Sequence, residues 1–194
     1  MKFLVILFSL IFFSSCSLNN STQILPTPTM TPQNPIVEEN TSTQSAVVNT
    51  ETVVALDTIN GQIVIKLYQD QTPNTVANFL KKVNSGFYDG LIFHRVIPGF
   101  MAQGGDPTGT GTGGGSQKSE LNQIPFKRGS LGLARTPASK EISNDSQFFI
   151  CFTDEGCQHL TGDYVNFGEV ISGLDVLDKI VQGDKILKIS TTTK

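Results

Sequence analysis

Phe93-His94-Arg95-Val96-Ile97-Pro98-Gly99-Phe100-Met101-Ala102-Gln103-Gly104-Gly105-Asp106 is the stretch around which the rest of the chain can be read. Apolar and polar residues alternate into a Pro98-Gly99 turn, and a second short run ends in paired glycines. Alternation of this kind is the period of a strand with two unlike faces. Arg95, Phe100, Met101 and Gln103 fall within nine positions. That composition suits a groove that holds something apolar while a single cation addresses a carbonyl or amide.

Bulk properties narrow the field. The chain has 194 residues, a formal net charge of −3 and 38% hydrophobic residues. This is enough sequence for one domain with a core that needs no disulfide or metal staple. A nucleic-acid binder would need a basic stripe to neutralise phosphates, and no basic run is present.

The N-terminus has the form of an export signal, read as residues 1–15. Met1-Lys2 precedes a nearly unbroken apolar run from Phe3 to Phe13, then Ser14-Ser15-Cys16. A positive start, a short apolar stretch and small residues before a cleavage point describe such a signal. The run is shorter than the roughly 20 residues that span a bilayer. Ser14-Ser15-Cys16 resembles a bacterial lipobox, with Phe13 where leucine is more usual. The resemblance implies that Cys16 is acylated and becomes the mature N-terminus, anchoring the protein to the cell membrane or envelope. A plain secretory signal with a coincidental cysteine is the alternative. Residues 16–50 are rich in Ser, Thr, Asn, Gln and Pro without apolar period, and read as a disordered tether. A tether of that length reaches about 30 Å.

The folded domain is expected over residues 51–194. Asn60-Gly61 between two β-rich runs predicts a hairpin. Thr72-Pro73 followed by Val76, Phe79, Leu80 and Val83 predicts a helix that stops at Gly86. Leu91 to Val96, Phe100 to Gln103, Gly129 to Ala134, Gln147 to Cys151, Val165 to Val170 and Ile186 to Ile189 read as strands. Leu174, Leu177, Ile180 and Val181 suggest a second helix, and the glycine-rich run Gly104 to Gly115 a loop. The sum is a mainly β domain, an antiparallel barrel or sandwich capped by helices.

The chemistry is sparse. The loop lacks the Gly-Lys-Ser/Thr ending of a phosphate-binding P-loop. No serine sits in a Gly-x-Ser-x-Gly elbow. His94 reads as a structural position on its strand rather than as a base. Cys151 and Cys157 have no second pair to complete a zinc site, and neither a metal nor a cofactor is expected. Export would permit a disulfide between them; a buried strand thiol plus a loop thiol is the other reading. What remains is an arginine, amides and apolar walls, with no acid–base pair. Rotation about an X-Pro bond needs no more, because no bond is made or broken.

The opening stretch resembles the signature of cyclophilins, the cyclophilin-type peptidyl-prolyl isomerases. The match continues through Gly109-Thr110-Gly111-Thr112-Gly113-Gly114, Leu133-Ala134-Arg135, Ser146-Gln147-Phe148-Phe149-Ile150 and Asn166-Phe167-Gly168. It implies an eight-stranded antiparallel β-barrel capped by two α-helices. Carried over by position, Arg95 is the catalytic arginine and Gln103 the amide that holds it and the substrate backbone. Phe100, Met101, Phe149 and Leu160 match the proline pocket. Ala134, Arg135 and Gln147 match the groove for the residues before proline, and Tyr164 stands where many members have histidine. The implied partners are proline-containing polypeptides, exported ones given the signal, handled by a monomer. A non-catalytic module that only binds proline peptides is the alternative, and a structural envelope protein with the barrel as a spacer is a third reading. His159 occupies the position of a tryptophan in drug-sensitive eukaryotic members, and the chain has no tryptophan. Weak cyclosporin binding is therefore expected, and a nanomolar inhibition constant would contradict it.

Overall fold

The computed structural model describes residues 51–192. The expected signal, Cys16 and the tether lie outside them. Ten strands form in chain order: β1 (Val53–Thr58), β2 (Gly61–Leu67), β3 (Arg95–Ile97), β4 (Met101–Gly104), β5 (Ser116–Lys118), β6 (Ser130–Leu133), β7 (Ile142–Asn144), β8 (Phe148–Cys151), β9 (Asn166–Ser172) and β10 (Ile186–Thr192). Eight make one antiparallel sheet in the order β10-β1-β2-β9-β6-β8-β4-β3, and β5 pairs with β7 apart from it. The expected eight-stranded antiparallel architecture is present, as a curled half-barrel. Its edge strands β3 and β10 share no ladder; a single bridge, Ile92 to Lys185, ties the chain ahead of each. Gly90 N–H to Ile186 C=O (2.8 Å) and Phe93 N–H to Asp184 C=O (2.9 Å) reinforce that seam.

The hairpin forms one residue earlier than Asn60-Gly61 suggests. Thr58 pairs with Gly61, so Ile59 and Asn60 are the loop. The Asn60 side chain donates to Lys179 C=O and Asp184 Oδ2, which ties the turn to the C-terminal segment.

The first helix, α1 (Pro73–Asn84), starts at proline as expected, but Thr72 does not cap it. Its hydroxyl donates back to Tyr68 C=O. The orphan N–H groups of Asn74 and Thr75 are taken by the Glu120 carboxylate, 3.1 and 2.7 Å away, from a distant part of the sequence. At the other end, Phe87 N–H returns to Lys82 C=O and Gly86 N–H to Val83 C=O, a Schellman stop. The second helix is a single turn, α3 (Leu174–Leu177). Beyond it the chain continues as i→i+3 turns, and Val181 lies exposed rather than on a buried face. A further short helix, α2 (Asp154–Cys157), runs into a 3₁₀ turn over Gln158–Leu160.

The principal core fills the inside of the curl. Phe79 on α1 meets Phe148 edge-on at 5.9 Å and Phe167 at 5.4 Å, so the long helix closes one mouth of the half-barrel.

The glycine-rich loop after β4 is organised by one buried carboxylate. Asp106, 1% exposed, accepts from Thr108 N–H (2.8 Å), the Thr108 hydroxyl (2.9 Å) and Gly111 N–H (2.5 Å). Burial by itself would raise its pKa; the hydrogen bonds from Thr108, Gly111 and Gly113 outweigh that and hold it at about 2, below the ordinary 3.8. A depressed folded-state pKa contributes stability that is complete above the unfolded value and is lost as pH falls through the folded one. Asp106→Asn should cost about 2 kcal/mol at neutral pH. The gap in thermal midpoint between wild type and variant should close as pH falls from 3.8 to about 2. A gap independent of pH would contradict this account.

Candidate functional site

Strand register builds the site. Arg95 on β3 lies directly across from Gln103 on β4, Gln103 across from Phe149 on β8, and Phe149 across from Gly132 on β6. Residues opposite one another in an antiparallel sheet put their side chains on the same face. One transverse row therefore carries a cation, an amide and an aromatic ring on the outside of the curl. Met101, two residues before Gln103, shares that face, while Ala102, Phe148 and Ile150 point into the principal core. Gly132 completes the row because a Cβ there would overlap the Phe149 ring.

The outward face has a small core of its own. Met101, Phe126, Phe149, Cys151, Cys157 and Leu160 are buried against one another, with Phe100 and Tyr164 packed on their rim. Above them is a cavity of about 310 Å³ lined by Arg95, Phe100, Met101, Gln103, Ala134, Arg135, Phe149, His159, Leu160 and Tyr164. Every expected site residue of the folded domain lines it except Gln147. Gln147 lines an adjoining cavity, with Gln103, Ala134, Arg135 and the glycine loop also on its wall. An apolar pocket with a few convergent polar groups is the usual form of a ligand site.

Arg95 is exposed at the rim, and its orientation is inherited from the loop. Gln147, 2% exposed, donates from Nε2 to Gly111 C=O (3.2 Å) and Gly113 C=O (2.8 Å). Backbone carbonyls only accept, so the Gln147 amide nitrogen must face the loop and its Oε1 must face outward. That oxygen accepts from Gln103 Nε2 at 2.9 Å, which turns Gln103 Oε1 toward Arg95 Nη1 at 3.2 Å. The guanidinium also lies 4.0 Å from Met101 Sδ. Among the described residues no further partner takes the remaining guanidinium donors, which face the pocket.

The opposite wall is aromatic. Phe149 stacks on Phe126 at 5.6 Å and meets Tyr164 edge-on at 5.8 Å. Arg135 lays its guanidinium over Tyr164 at 4.4 Å and donates to Asp163 and Thr136 carbonyls. Among the described residues no hydrogen bond takes the main chain of Arg135 itself. His159 is exposed and approaches Phe100 at 5.8 Å, forming the outer lip.

His94 is not among the residues lining either cavity. Both its ring nitrogens are buried without partners among the described residues, and burial holds its pKa below the ordinary histidine value. Lying outside both cavities, His94 is not placed to act as a base on a ligand in them.

Three residues belong to the site region without having been foreseen as such. Phe126 underlies Phe149, but nothing in its neighbourhood of sequence marks a pocket floor. Cys151 and Cys157 are joined in a disulfide in the same small core, a pairing that sequence alone left open. The glycine loop is also more than a shaped surface, because its carbonyls set the direction of the amide relay.

With this geometry in view, the chain can be set beside known proteins. The family model for cyclophilin type peptidyl-prolyl cis-trans isomerases matches residues 53–193. A peptidyl-prolyl cis-trans isomerase of Synechococcus elongatus is 43% identical over 146 residues, covering 73% of this chain and 97% of that protein. Peptidyl-prolyl cis-trans isomerase B of Bacillus subtilis is 45% identical over 132 residues, covering 66% of this chain and 89% of the relative. Among solved structures, a cyclophilin type peptidyl-prolyl cis-trans isomerase of Cryptosporidium parvum aligns with a TM-score of 0.68 at 33% identity, covering 74% of this chain and 99% of that one. The same enzyme crystallised in the presence of the dipeptide Ala-Pro aligns at 0.66 and 32% identity, covering 73% and 99%. A family model that spans the whole described domain, with relatives matched over most of their own length, leads to one conclusion: the chain belongs to the cyclophilin-type peptidyl-prolyl cis-trans isomerase family.

Proposed function

We propose that the cavity beside Arg95 is where this peptidyl-prolyl cis-trans isomerase turns X-Pro bonds, and that its substrates are exported polypeptides. The observation that carries the assignment is the pairing of an oriented guanidinium with a pocket walled by Phe100, Phe149 and Tyr164. A planar amide resists rotation by about 18–20 kcal/mol through resonance between nitrogen and carbonyl. Uncatalysed X-Pro exchange consequently takes tens to hundreds of seconds. A site lowers that barrier by binding the twisted amide better than either planar form.

Each part of the site has a place in that scheme. Phe100, Met101, Phe149 and Leu160 hold the prolyl ring, so one side of the bond is fixed. Arg95 donates to the prolyl nitrogen, whose lone pair becomes available only when rotation breaks resonance; the hydrogen bond is thus stronger in the transition state. Gln103 keeps Arg95 aimed, with Gln147 behind it. Ala134, Gln147 and the uncommitted main chain of Arg135 take the residues before proline, while His159 and Tyr164 close the lip. The Ala-Pro dipeptide named with the Cryptosporidium enzyme supports proline-containing peptides as the ligand class. The alternative, a module that binds such peptides without turnover, has no need of an aimed Arg95.

The same proposal extends to the N-terminus. Residues 1–15 act as a signal, Cys16 carries the lipid, and residues 16–50 hold a monomeric catalytic domain clear of the membrane or envelope. The order of apolar run, serines and cysteine supports this reading.

Two measurements test these assignments. Arg95→Ala should lower kcat/KM for a short X-Pro peptide on the order of 100-fold, with the thermal midpoint unchanged because Arg95 is exposed. An unchanged exchange rate would reject the catalytic role. Mass spectrometry of the mature protein from membranes should show an acylated Cys16 as its first residue; an unmodified soluble product would end the anchoring proposal.

A further inference from the structure

We infer that the Cys151–Cys157 disulfide is a positioning element of the proline pocket, which makes the enzyme's grip on substrate redox-dependent. The inference rests on the catalytic reading of the pocket given above and assigns to it a control that lies beneath its floor.

Placement carries the first part of the argument. Cys151 ends β8, two residues beyond the pocket wall Phe149 and directly across the sheet from the pocket wall Met101. Cys157 ends α2, and the 3₁₀ turn that begins at the next residue delivers His159 and Leu160 to the cavity. The bond thus joins the strand that supplies one wall to the segment that supplies the other. Both sulfurs are 0% exposed within the small outer core.

The two ends of the bond differ in how firmly they are held. β8 is an interior strand, hydrogen-bonded to β4 on one side and β6 on the other. The segment from Asp154 to Leu160 is one helical turn followed by a three-residue 3₁₀ turn, too short to be stable without tertiary support. Its other ties are non-covalent: Arg128 N–H donates to Asp154 Oδ1 at 2.6 Å, the His159 ring lies 5.8 Å from Phe100, and hydrogen bonds hold the two residues that flank it. Thr153 donates its hydroxyl to Gly99 C=O at 2.7 Å, and Thr161 accepts from Phe126 N–H at 3.0 Å. Gly156 passes so close to the Gly99–Phe100 turn that a Cβ would overlap the Gly99 carbonyl oxygen. Between those ties the disulfide is the one covalent hold on the wall.

Reduction therefore has a direction. Each sulfur takes up one electron and one proton from a dithiol, the Sγ–Sγ bond breaks, and the dithiol closes to its own disulfide. Bonded sulfurs sit about 2.05 Å apart, whereas unbonded ones need about 3.5 Å or more. β8 is held by two ladders, whereas the Cys157 segment has a cavity beside it into which it can move. The displacement falls on Cys157 and is passed to His159 and Leu160. Arg95 and Gln103 sit on β3 and β4, and their relay to Gln147 does not run through the α2 segment. Loosening the wall should weaken capture of the prolyl ring while leaving the chemical step intact.

The test uses the full chain with a proline peptide. Exchange kinetics and calorimetric affinity are measured before and after incubation with a small dithiol, with thiol titration and circular dichroism on the same samples. Reduction should release two thiols, leave the β-sheet spectrum intact, and raise KM and Kd on the order of tenfold, with kcat within about twofold. The Cys151→Ala/Cys157→Ala double variant should no longer respond to the dithiol. Should that variant fail to fold, the reduced wild type with an intact spectrum decides alone. An unchanged KM after two thiols appear would overturn the inference, as would equal losses in kcat, or the same response in the double variant. Free thiols at Cys151 and Cys157 before reduction, or none released there by it, would overturn it as well. If the oxidised chain binds peptide without accelerating exchange, the catalytic reading fails while Kd still judges the disulfide.

Discussion

The site depends on one buried carboxylate and the polarity that it imposes. Asp106 gathers the N–H groups of a loop too rich in glycine to hold a shape otherwise. Once their N–H groups are turned inward, Gly111 and Gly113 present carbonyls to Gln147. Because those carbonyls can only accept, every amide beyond them has a single allowed orientation, and the series ends with an acceptor facing Arg95. An exposed arginine would ordinarily sample many rotamers, at a cost in entropy whenever it binds. Here part of that ordering is complete before a ligand arrives.

The second constraint is the pleat. Alternate residues of β4 and β8 serve two cores: Ala102, Phe148 and Ile150 fill the half-barrel, while Met101, Phe149 and Cys151 build the floor outside it. The pocket is thus the reverse side of the strands that stabilise the fold. One aromatic residue can therefore serve the packing and line the cavity at once, since Phe149 packs against Phe126 beneath it and offers its upper surface to the cavity. The same arrangement explains why so small a site needs support from elsewhere, as its other wall comes from a segment with little structure of its own.

Much of this was legible in order along the chain. Alternation marked the strands, Pro73 and the Val76, Phe79, Val83 spacing marked the helix, and the Phe93–Asp106 motif brought Arg95, Phe100, Met101 and Gln103 together. The misreadings have a common physical cause. Thr72 has the side chain of a cap, yet a carboxylate at Glu120 outcompetes it for the helix N–H groups. The Leu174 to Val181 spacing looks helical, but packing needs only one turn before the chain leaves for β10. β5 and β7 are three residues each, too short for a period to show.

Local chemistry by itself determined which segments could be strands, where the long helix began and ended, and which side chains could serve a prolyl amide. Those properties depend on neighbours within a few residues, and neighbours in sequence are printed in it. Only the tertiary structure decided that Gln147 points Gln103 at Arg95, that Phe126 underlies Phe149, and that Cys151 is bonded to Cys157 under the pocket. Each of these is a contact between side chains brought together by the curl of the sheet or by loop packing. Residue type permits such contacts, but only the folded path of the chain selects among them.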